Sequence, residues 1–538
     1  MLAAQVGMNA FDGARAVCQR LMRAGLALSP AERAFHNAVL VSVLRPLADI
    51  QPDDIRTRAL LAIVLLDDAR AVSEAQGLLD AAYRSGAEDA YLSLAYGILF
   101  FKIGDMARAA GYLAPGGAGD PCAEDRAYWA RLAEAGAGDD WRAPEALAAF
   151  AAHELYHLGE ALARGRRPAA AADALSEVVA RAPHWIDVYP TLATLLGMLG
   201  RSVEALDHCR RADALFPNDP GILWEISHCH LALGDLAAGW RQAENRLKVW
   251  QSHSEARHRG VPKWSGEDLT GKTVVVWREE GIGDEIRLSS CLPEFRNRTG
   301  ATVVWECSPR LAGLYARSLD GIAVVAEAPD NGVYDAADFH LPVGDLPLHY
   351  RESLEAFPET GRFLEADPDL AAVWRTRLDG LGAGPKIGVG WRSLNNSWIK
   401  APMSSSATDW RAVFAIPGAQ FVNLQCDADA GEIERIRERF GAPFHAFGDL
   451  DLKDDLEGVA ALIDGLDLVI SCRCWLIHLA GALGREVLTF SAPPNALMMG
   501  LAYNPWAPET EVFYGAVDEP WEPVLNEMAS RACGLLDL

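Results

Sequence analysis

Residues 273–286 read Thr-Val-Val-Val-Trp-Arg-Glu-Glu-Gly-Ile-Gly-Asp-Glu-Ile. The β-branched and aromatic run Thr273–Trp277 predicts a buried strand. Gly281 and Gly283 follow where the chain leaves that strand, and glycine lets the backbone turn tightly and approach a ligand closely. The stretch therefore predicts the first strand, the glycine-rich turn and the following helix of an α/β domain.

The same alternation of strand and helix continues towards the C-terminus. Six further runs predict strands, and amphipathic segments such as Glu432 to Phe440 separate them. These runs are Thr302–Glu306, Ile322–Ala326, Lys386–Trp391, Phe421–Gln425, Asp467–Ser471 and Glu486–Phe490. Such alternation is typical of mostly parallel sheets covered by helices on both faces. A break at about Asp367 to Pro385 predicts two Rossmann-like lobes, residues 273–375 and 376–538, that face each other across a cleft.

Upstream of these lobes, the sequence shows an internal repeat. Small residues and prolines recur at intervals of 34 residues. The repeated positions are Pro183 and Pro217, Gly200 and Gly234, and Ala171, Ala205 and Gly239. This is the period of tetratricopeptide repeats, in which two helices form each unit. We therefore predict a helical repeat domain over residues 1–251, clearest at 168–250, and a linker at 252–272, which makes the fold class α + α/β.

Composition and charge disfavour several classes of protein. Half of the 538 residues are hydrophobic, and the formal net charge of -25 argues against nonspecific binding to nucleic acid or to an anionic membrane. The most apolar stretch, Ala90 to Ile103, is too short for a membrane span, and the N-terminus lacks the features of a signal peptide. Ten cysteines without a CxxC pair fit a reducing compartment, so we expect a cytoplasmic protein.

Further motifs stand in a fixed order along the second half of the chain. They are Gly239-Trp240, Pro262-x-Trp264-x-Gly266, His340-Leu341-Pro342, Gly388-Val389-Gly390-Trp391-Arg392, Phe421 to Gln425, Asp467 to Ser471, His478 to Gly484 and Asn504-Pro505-Trp506. Together with residues 276–286 they resemble the heptosyltransferase-like glycosyltransferases (family 9, similar to O-GlcNAc transferases), and in particular the bacterial branch with N-terminal tetratricopeptide repeats. The resemblance covers roughly Ala238 to Tyr514. It implies a glycosyltransferase B-type fold, with the acceptor bound by the first lobe and the nucleotide sugar by the second.

Two carboxylates are candidates for the catalytic base. The resemblance gives Asp284 the role of removing the proton from the acceptor hydroxyl. Taken alone, an aspartate after a glycine turn more often caps a helix. Glu279, at the end of the first predicted strand, is a second carboxylate at the same mouth and can assist or substitute.

A polar loop after the first strand of the second lobe suits a nucleotide diphosphate. Arg392, Ser393 and Lys400 offer a hydroxyl and cations to phosphate oxygens, and the resemblance makes Lys400 the phosphate lysine. The alternative for Lys400 is a solvated surface residue. The predicted donor-binding set is completed by Gly281, Gly283, Gln425, Ser471, Arg473 and His478.

The segment Ser471 to His478 begins where a buried strand ends and a helix begins, so exposed amides can hold a diphosphate there. The resembled family has Asp-Thr/Ser-Gly or Asp-Thr-Ala before the histidine, whereas this chain has Arg473, Cys474 and Trp475. Arg473 can still contact a phosphate or a sugar carboxylate, while Trp475 can block the pocket. His478 matches the histidine that faces the donor phosphates; a core histidine is the alternative.

These observations predict a glycosyltransferase that moves a sugar from a nucleotide-sugar donor to a hydroxyl acceptor. The acceptor is expected to be Ser or Thr of a protein held in the repeat groove. No cofactor beyond the nucleotide sugar is expected, and transfer should be metal-independent, since Asp427-x-Asp429 and Asp449-x-Asp451 lie in polar turns. Two alternatives stay open: a non-catalytic repeat scaffold with a degenerate transferase domain, and a transferase acting on a lipopolysaccharide. A homo-oligomer is also open.

Overall fold

A computed structural model describes residues 2–51, 53–68, 71–84, 89–117, 119–249, 260–329, 331–395, 397–493 and 495–538, excepting the side chains of residues 2–13. The chain divides into two compact units, Met1–Leu196 and Gly197–Leu538. Of the predicted linker, residues 252–259 lie outside the described part. The predicted boundaries at 251, 272 and 375 stay predictions.

The first unit is built from helices. They are α1 (Leu2–Gly25), α2 (Pro30–Ile50), α3 (Ile55–Leu65), α4 (Val72–Tyr83), α5 (Ala90–Lys102), α6 (Met106–Tyr112), α7 (Ala123–Ala137), α8 (Pro144–Leu147), α9 (Ala152–Arg164), α10 (Pro168–Arg181) and α11 (Val188–Met198), which runs past the end of the unit. Ser29 starts α2 with a capping box to Glu32. Small residues let neighbouring helices approach closely: a methyl group on Gly159 of α9 would stand 2.6 Å from Leu175 of α10.

The second unit begins with more helices, α12 (Ser202–Leu215), α13 (Pro220–Ala232), α14 (Leu236–Ala243) and α15 (Arg246–Val249). Gly200 and Gly234, two of the residues spaced by 34, have positive φ angles of 72° and 80° in the turns before α12 and α14. Their period therefore marks the turns between helices. That these helices form tetratricopeptide repeats stays a prediction.

A four-stranded sheet follows, with strands β1 (Thr273–Trp277), β2 (Thr302–Cys307), β3 (Ala323–Ala326) and β4 (Phe339–Pro342). The strand order is β3-β2-β1-β4 and every pair is parallel. Val274 is in register with Val303 on one side and Phe339 on the other. The accompanying helices are α16 (Ile282–Ser289), α17 (Leu292–Thr299), α18 (Ala312–Ser318) and α19 (Leu346–Tyr350).

A seven-stranded sheet forms the second lobe. Its strands are β5 (Lys386–Gly390), β6 (Gln420–Asn423), β7 (Phe444–His445), β8 (Leu468–Cys472), β9 (Val487–Ser491), β10 (Tyr503–Asn504) and β11 (Ala507–Tyr514), in the order β10-β11-β9-β8-β5-β6-β7. The pairs are parallel except β10 with β11. The helices are α20 (Pro368–Asp379), α21 (Arg411–Phe414), α22 (Ala430–Phe440), α23 (Leu456–Asp464), α24 (Trp475–Ala482) and α25 (Glu522–Leu535).

The structure confirms the predicted fold class, a helical part followed by two Rossmann-like sheets. Each predicted strand is present with its ends within two residues of the prediction. Four strands were not predicted: β7 and β10 span two residues each, β4 holds the His-Leu-Pro motif, and β11 includes Glu509 and Glu511. Short or charged strands carry too little apolar pattern to be recognised.

Helices of the second unit share a core with the sheets. Trp240 of α14 is buried in the same hydrophobic cluster as Val274 and Val276 of β1, and its indole N–H donates to the Arg351 carbonyl at 2.8 Å. This shared core joins α14 to the α/β part.

Candidate functional site

The site is built where the carboxyl ends of β1 and β8 lead into two helices that pack against each other, α16 and α24. Gly281 is the N-cap residue of α16, and Cys474 is that of α24. A methyl group on Gly283 would stand 3.0 Å from Cδ2 of His478 and 3.2 Å from Cα of Trp475. Glycine at 283 therefore allows α16 to lie directly against α24.

A cavity of about 350 Å³ opens beside this pair of helices, with walls from both lobes. Seven residues predicted from the sequence line it: Gly281, Gly283 and Asp284 from the first lobe, and Ser393, Lys400, Arg473 and His478 from the second. These residues come from three separate segments of the sequence, and the folding of both sheets brings the ends of their strands together. The volume lies within the range of small-molecule sites, about 300–1,000 Å³.

Asp284 projects its charge into this cavity from the first turn of α16. The capping residue of α16 is Gly281, so the alternative role of Asp284 as a helix cap is not the one the structure shows. Its Oδ1 accepts a hydrogen bond from Nη2 of Arg287 at 2.7 Å. Burial alone raises the pKa of Asp284, but the charge and hydrogen bond of Arg287 outweigh it, and the pKa falls below its ordinary value. Asp284 is therefore ionised at neutral pH.

Cations from the second lobe face this carboxylate. The charge of Arg473, with burial second, lowers the pKa of Lys400 to about 8. Burial lowers the pKa of Arg473 to about 10, so both groups still carry a positive charge at pH 7. Nη2 of Arg473 donates to Sδ of Met403 at 2.8 Å, and Nε has no hydrogen-bond partner in the described part of the chain. The cavity thus presents an excess of positive charge.

His478 is neutral in this surrounding. Burial, followed by the charge of Arg287, lowers its pKa to about 3. A neutral imidazole offers one donor and one acceptor, so it can bind a phosphate oxygen or a hydroxyl without adding charge.

Glu279 is not in the cavity. It is 2% exposed, and its two carboxylate oxygens accept hydrogen bonds from Nε and Nη2 of Arg246 at 2.7 and 2.5 Å. Gly344 donates its amide to the same carboxylate at 2.7 Å. The structure therefore corrects the expectation that Glu279 shares the cavity mouth with Asp284: it anchors the base of the turn.

Three other predicted donor-binding residues also lie outside the cavity lining. Arg392 pairs with Asp427 and Glu432. The carboxamide oxygen of Gln425 accepts from the amides of Trp391 and Arg392, both at 2.9 Å, and the hydroxyl of Ser471 donates to the Cys472 carbonyl. These residues hold the loops whose other members reach the cavity.

Several residues that line the cavity, and one neighbour of Asp284, are not marked by any motif in the sequence. Arg310 and Lys453 line the cavity from loops without a recognisable motif. Arg287, which pairs with Asp284, stands three positions further along α16, and that spacing on one helix face was the available signal.

A buried ion network lies behind the glycine-rich turn. Besides Glu279, Arg246 of α15 contacts Asp345 at 2.9 Å, and Asp345 contacts Lys263 at 2.6 Å. Arg246 and Asp345 are both buried. Burial lowers the pKa of Arg246, but the charges of Glu279 and Asp345 outweigh it and raise the pKa above its ordinary value. The last helix before the sheets is thereby fastened to the end of β1.

Among the described residues, no group of three or more His, Cys, Asp or Glu side chains is arranged to hold a metal ion. Metal independence stays a prediction. None of the described helices combines the length and apolar character required to cross a membrane.

Comparisons with known proteins find a relative that matches part of this chain, and solved structures that resemble it at low sequence identity. The chain matches no protein-family model. FlbA of Caulobacter vibrioides is 32% identical over 369 residues, which cover 65% of this chain and 61% of that protein. The chain therefore spans less than two thirds of its relative's length.

The structural likenesses are at low identity. A family 9 glycosyltransferase of Veillonella parvula matches with 12% identity and a TM-score of 0.38, covering 51% of this chain and 99% of that one. The ADP-heptose lipopolysaccharide heptosyltransferase II of E. coli matches with 12% identity and a TM-score of 0.37, over 48% and 99%. An O-GlcNAc transferase of Thermobaculum terrenum matches with 13% identity and a TM-score of 0.26, over 83% and 92%.

Proposed function

We propose that the chain is a glycosyltransferase that moves a sugar from a nucleotide-sugar donor to a hydroxyl acceptor. One observation carries the proposal: Asp284 from one lobe and Lys400, Arg473 and His478 from the other line a single cavity at the carboxyl ends of two Rossmann-like sheets. That is where open α/β sheets bind their ligands. An ionised carboxylate opposite a group of cations suits a reaction that starts with a hydroxyl and ends with an anionic leaving group.

The charges assign a role to each side of the cavity. Asp284 accepts the proton of the acceptor hydroxyl while the oxygen attacks the anomeric carbon of the donor. The bond from that carbon to the diphosphate breaks on the opposite face, and the electron pair leaves with the diphosphate. Lys400 and Arg473 stabilise the negative charge that develops there, and His478 supplies a neutral donor.

Arg287 has a supporting role in this scheme. Its hydrogen bond holds the Asp284 carboxylate in place and keeps it ionised. The carboxylate is therefore ready to accept a proton, and the arginine can remain paired with it when the diphosphate arrives.

The acceptor we propose is a Ser or Thr hydroxyl of a protein recognised by the helical repeats. Stacked helix pairs form extended surfaces that suit a peptide, and the chain begins with eleven helices, α1 to α11, in the described residues. The transfer is proposed to be independent of a metal ion, because the cavity cations can carry the leaving-group charge themselves.

The proposed activity is tested with a panel of nucleotide sugars. Release of the nucleoside diphosphate is measured for the wild-type chain and for Asp284→Ala. We expect release from at least one donor and a large loss of turnover in the variant. If the variant turns over as the wild type does, Asp284 is not the base; if no donor is consumed with any acceptor tried, the activity itself is refuted.

The second candidate function is a scaffold protein whose transferase domain has no catalytic activity. Trp475 favours this candidate. This large side chain lines the cavity where the resembled family has a small residue. Nucleoside diphosphates separate the two candidates, because a ligand that binds only the folded chain raises its melting temperature. A shift with at least one nucleotide supports the transferase, and the absence of any shift supports the scaffold.

A further inference from the structure

Three of the ten cysteines are partly exposed, namely Cys426, Cys474 and Cys533, and the other seven are buried. Cys474 differs from the other two because it lines the cavity. It also occupies the N-cap position of α24, directly after the strand that carries Cys472. The thiol therefore stands where ligands are expected to enter, next to a second thiol.

Polar groups surround the sulfur of Cys474. The hydroxyl of Ser471 lies 3.6 Å from Sγ, and the Cys472 thiol shares a hydrogen bond with it. Lys400, across the cavity, adds a positive charge. A helix N-terminus and a nearby cation are the surroundings that make a thiol reactive.

The two neighbouring thiols respond in opposite directions. The hydrogen bond they share raises the pKa of Cys472 well above its ordinary value and lowers that of Cys474. Cys426, by contrast, is held protonated, because burial raises its pKa to about 11. Cys474 is therefore the sulfur that attacks first, and its oxidation removes the interaction that raises the pKa of Cys472 most.

We propose that Cys474 is a reactive modification site at the cavity wall, and that a peroxide joins it to Cys472. The Cys474 sulfur attacks one peroxide oxygen, the O–O bond breaks, and a sulfenic acid and hydroxide form. The Cys472 sulfur then attacks the Cys474 sulfur, the sulfenic oxygen leaves as hydroxide, and the two thiol protons end in water. Two thiols are oxidised to one disulfide while one peroxide is reduced.

This oxidation would act on the proposed donor site. A disulfide to Cys472 draws Cys474 away from the cavity wall and alters the first turn of α24, which also carries Trp475 and His478. Nucleotide binding should therefore fall in the oxidised chain. This consequence rests on the proposed function, whereas the reactivity of the thiol does not.

The reactivity is tested by limited labelling of the native full-length chain with iodoacetamide, followed by mass spectrometry of the peptides. We expect Cys474 to be labelled at least about tenfold faster than Cys426, since the thiolate is the nucleophile. Cys533→Ser is the matched control and should leave the rate at Cys474 unchanged. Labelling of Cys426 or Cys533 ahead of Cys474 would overturn the proposal.

The disulfide has its own signature, because Arg473 lies between the two cysteines. Trypsin cuts after Lys453, Arg473 and Arg485, so peptides 454–473 and 474–485 stay joined only when the disulfide is present. After one equivalent of hydrogen peroxide we expect the joined pair in the wild type, and a dimedone adduct on Cys474 in Cys472→Ala. Separate, unoxidised peptides in the wild type would contradict the proposal.

A third measurement separates this inference from the proposed function. The labelling is repeated with a nucleoside diphosphate present. Slower labelling at Cys474 with an unchanged rate at Cys533 supports both the reactive thiol and the donor site. Fast labelling that no nucleotide slows would keep the reactive thiol and count against the donor site.

Discussion

At the residue scale, the two candidate bases, Glu279 and Asp284, differ in the ion pairs that their carboxylates form. Glu279 is fixed on both oxygens by Arg246, whereas Asp284 makes its ion pair at the cavity with Arg287. A carboxylate with one side directed to a cavity can accept a proton from a ligand, but one enclosed by an arginine fork cannot.

The first prediction concerns Asp284→Asn, which keeps the shape of the side chain and removes its ability to accept a proton. We expect kcat for sugar transfer to fall by about 10²–10⁴-fold, the usual contribution of a general base. The dissociation constant of the nucleoside diphosphate should stay within a few-fold, because the cations are unchanged. Asp320→Asn, an exposed aspartate of the same lobe, is the control, and an equal loss there would refute the assignment.

The second prediction is a pH dependence that comes from Lys400. The folded pKa of about 8 means that its positive charge is present below pH 8 and is lost as the pH rises. Affinity for a nucleoside diphosphate should therefore weaken above that pH, by up to about tenfold per unit for the loss of one required proton.

The control for this pH dependence is Lys400→Arg, measured by calorimetric titration at each pH. Arginine stays charged throughout the range, so its binding curve should be flat where the wild-type curve falls. A wild-type affinity that does not change between about pH 7 and 9 would remove Lys400 from the phosphate site.

The sequence predicted the members of the cavity better than it predicted their contacts. Asp284, Lys400 and His478 could be found because the resemblance to known glycosyltransferases points to these positions. Arg392 could not be excluded from the cavity, because its partners Asp427 and Glu432 are distant in sequence and meet it only in the folded lobe. Charge type is visible in a sequence, but ion pairing is not.

At the element scale, the contact between α16 and α24 depends on one glycine. The third prediction is that Gly283→Ala lowers the melting temperature and weakens nucleotide binding, because its methyl would meet Cα of Trp475 at 3.2 Å. Such overpacking costs about 1–3 kcal/mol. Gly281→Ala is the matched control for the melting temperature, since its methyl would meet nothing within 4 Å. Equal melting temperatures in the two variants would contradict this description of the helix contact.

The fourth prediction concerns the network that fastens α15 to β1. Arg246→Met leaves Glu279 and Asp345 buried without their shared cation, and removing one partner of a buried pair costs about 3–5 kcal/mol. We expect the second unit to unfold at a lower urea concentration than in the wild type. Tryptophan fluorescence measures this unfolding.

Arg241→Met is the control for this fourth prediction, because Arg241 is exposed and lies in the neighbouring helix α14. Its free energy of unfolding should match that of the wild type within about 0.5 kcal/mol. An unchanged midpoint in Arg246→Met would show that the network does not hold the turn.

The elements themselves were predictable where their pattern was strong. The glycine-rich turn and the apolar strands β1, β5, β8 and β9 could be recognised from short buried runs. The two-residue strands β7 and β10 could not, because sheet pairing rather than local preference creates them. The shared core of Trp240 and β1 could not be predicted either, because the sequence places Trp240 in the helical repeat domain and β1 in the first lobe.

At the scale of the whole molecule, the central claim is that the two lobes of the second unit form one anion-binding site. The alternation of strands and helices, with its break at about Asp367 to Pro385, predicted two lobes, and the structure shows their strand ends meeting at a common cavity. The identity of the sugar could not be predicted, because it depends on contacts that this arrangement of charges does not specify.

The fifth prediction tests that claim most directly, by equilibrium titration of the wild-type chain and of Lys400→Met with a series of nucleoside diphosphates. We expect at least one of them to bind the wild type, and Lys400→Met to lose about tenfold or more in affinity, as a charged hydrogen bond is worth about 1.5–3 kcal/mol. Lys272→Met, a half-exposed lysine paired with Asp338, should bind as the wild type does. Failure of every nucleoside diphosphate to bind the wild type, or equal affinity in Lys400→Met, would contradict the account.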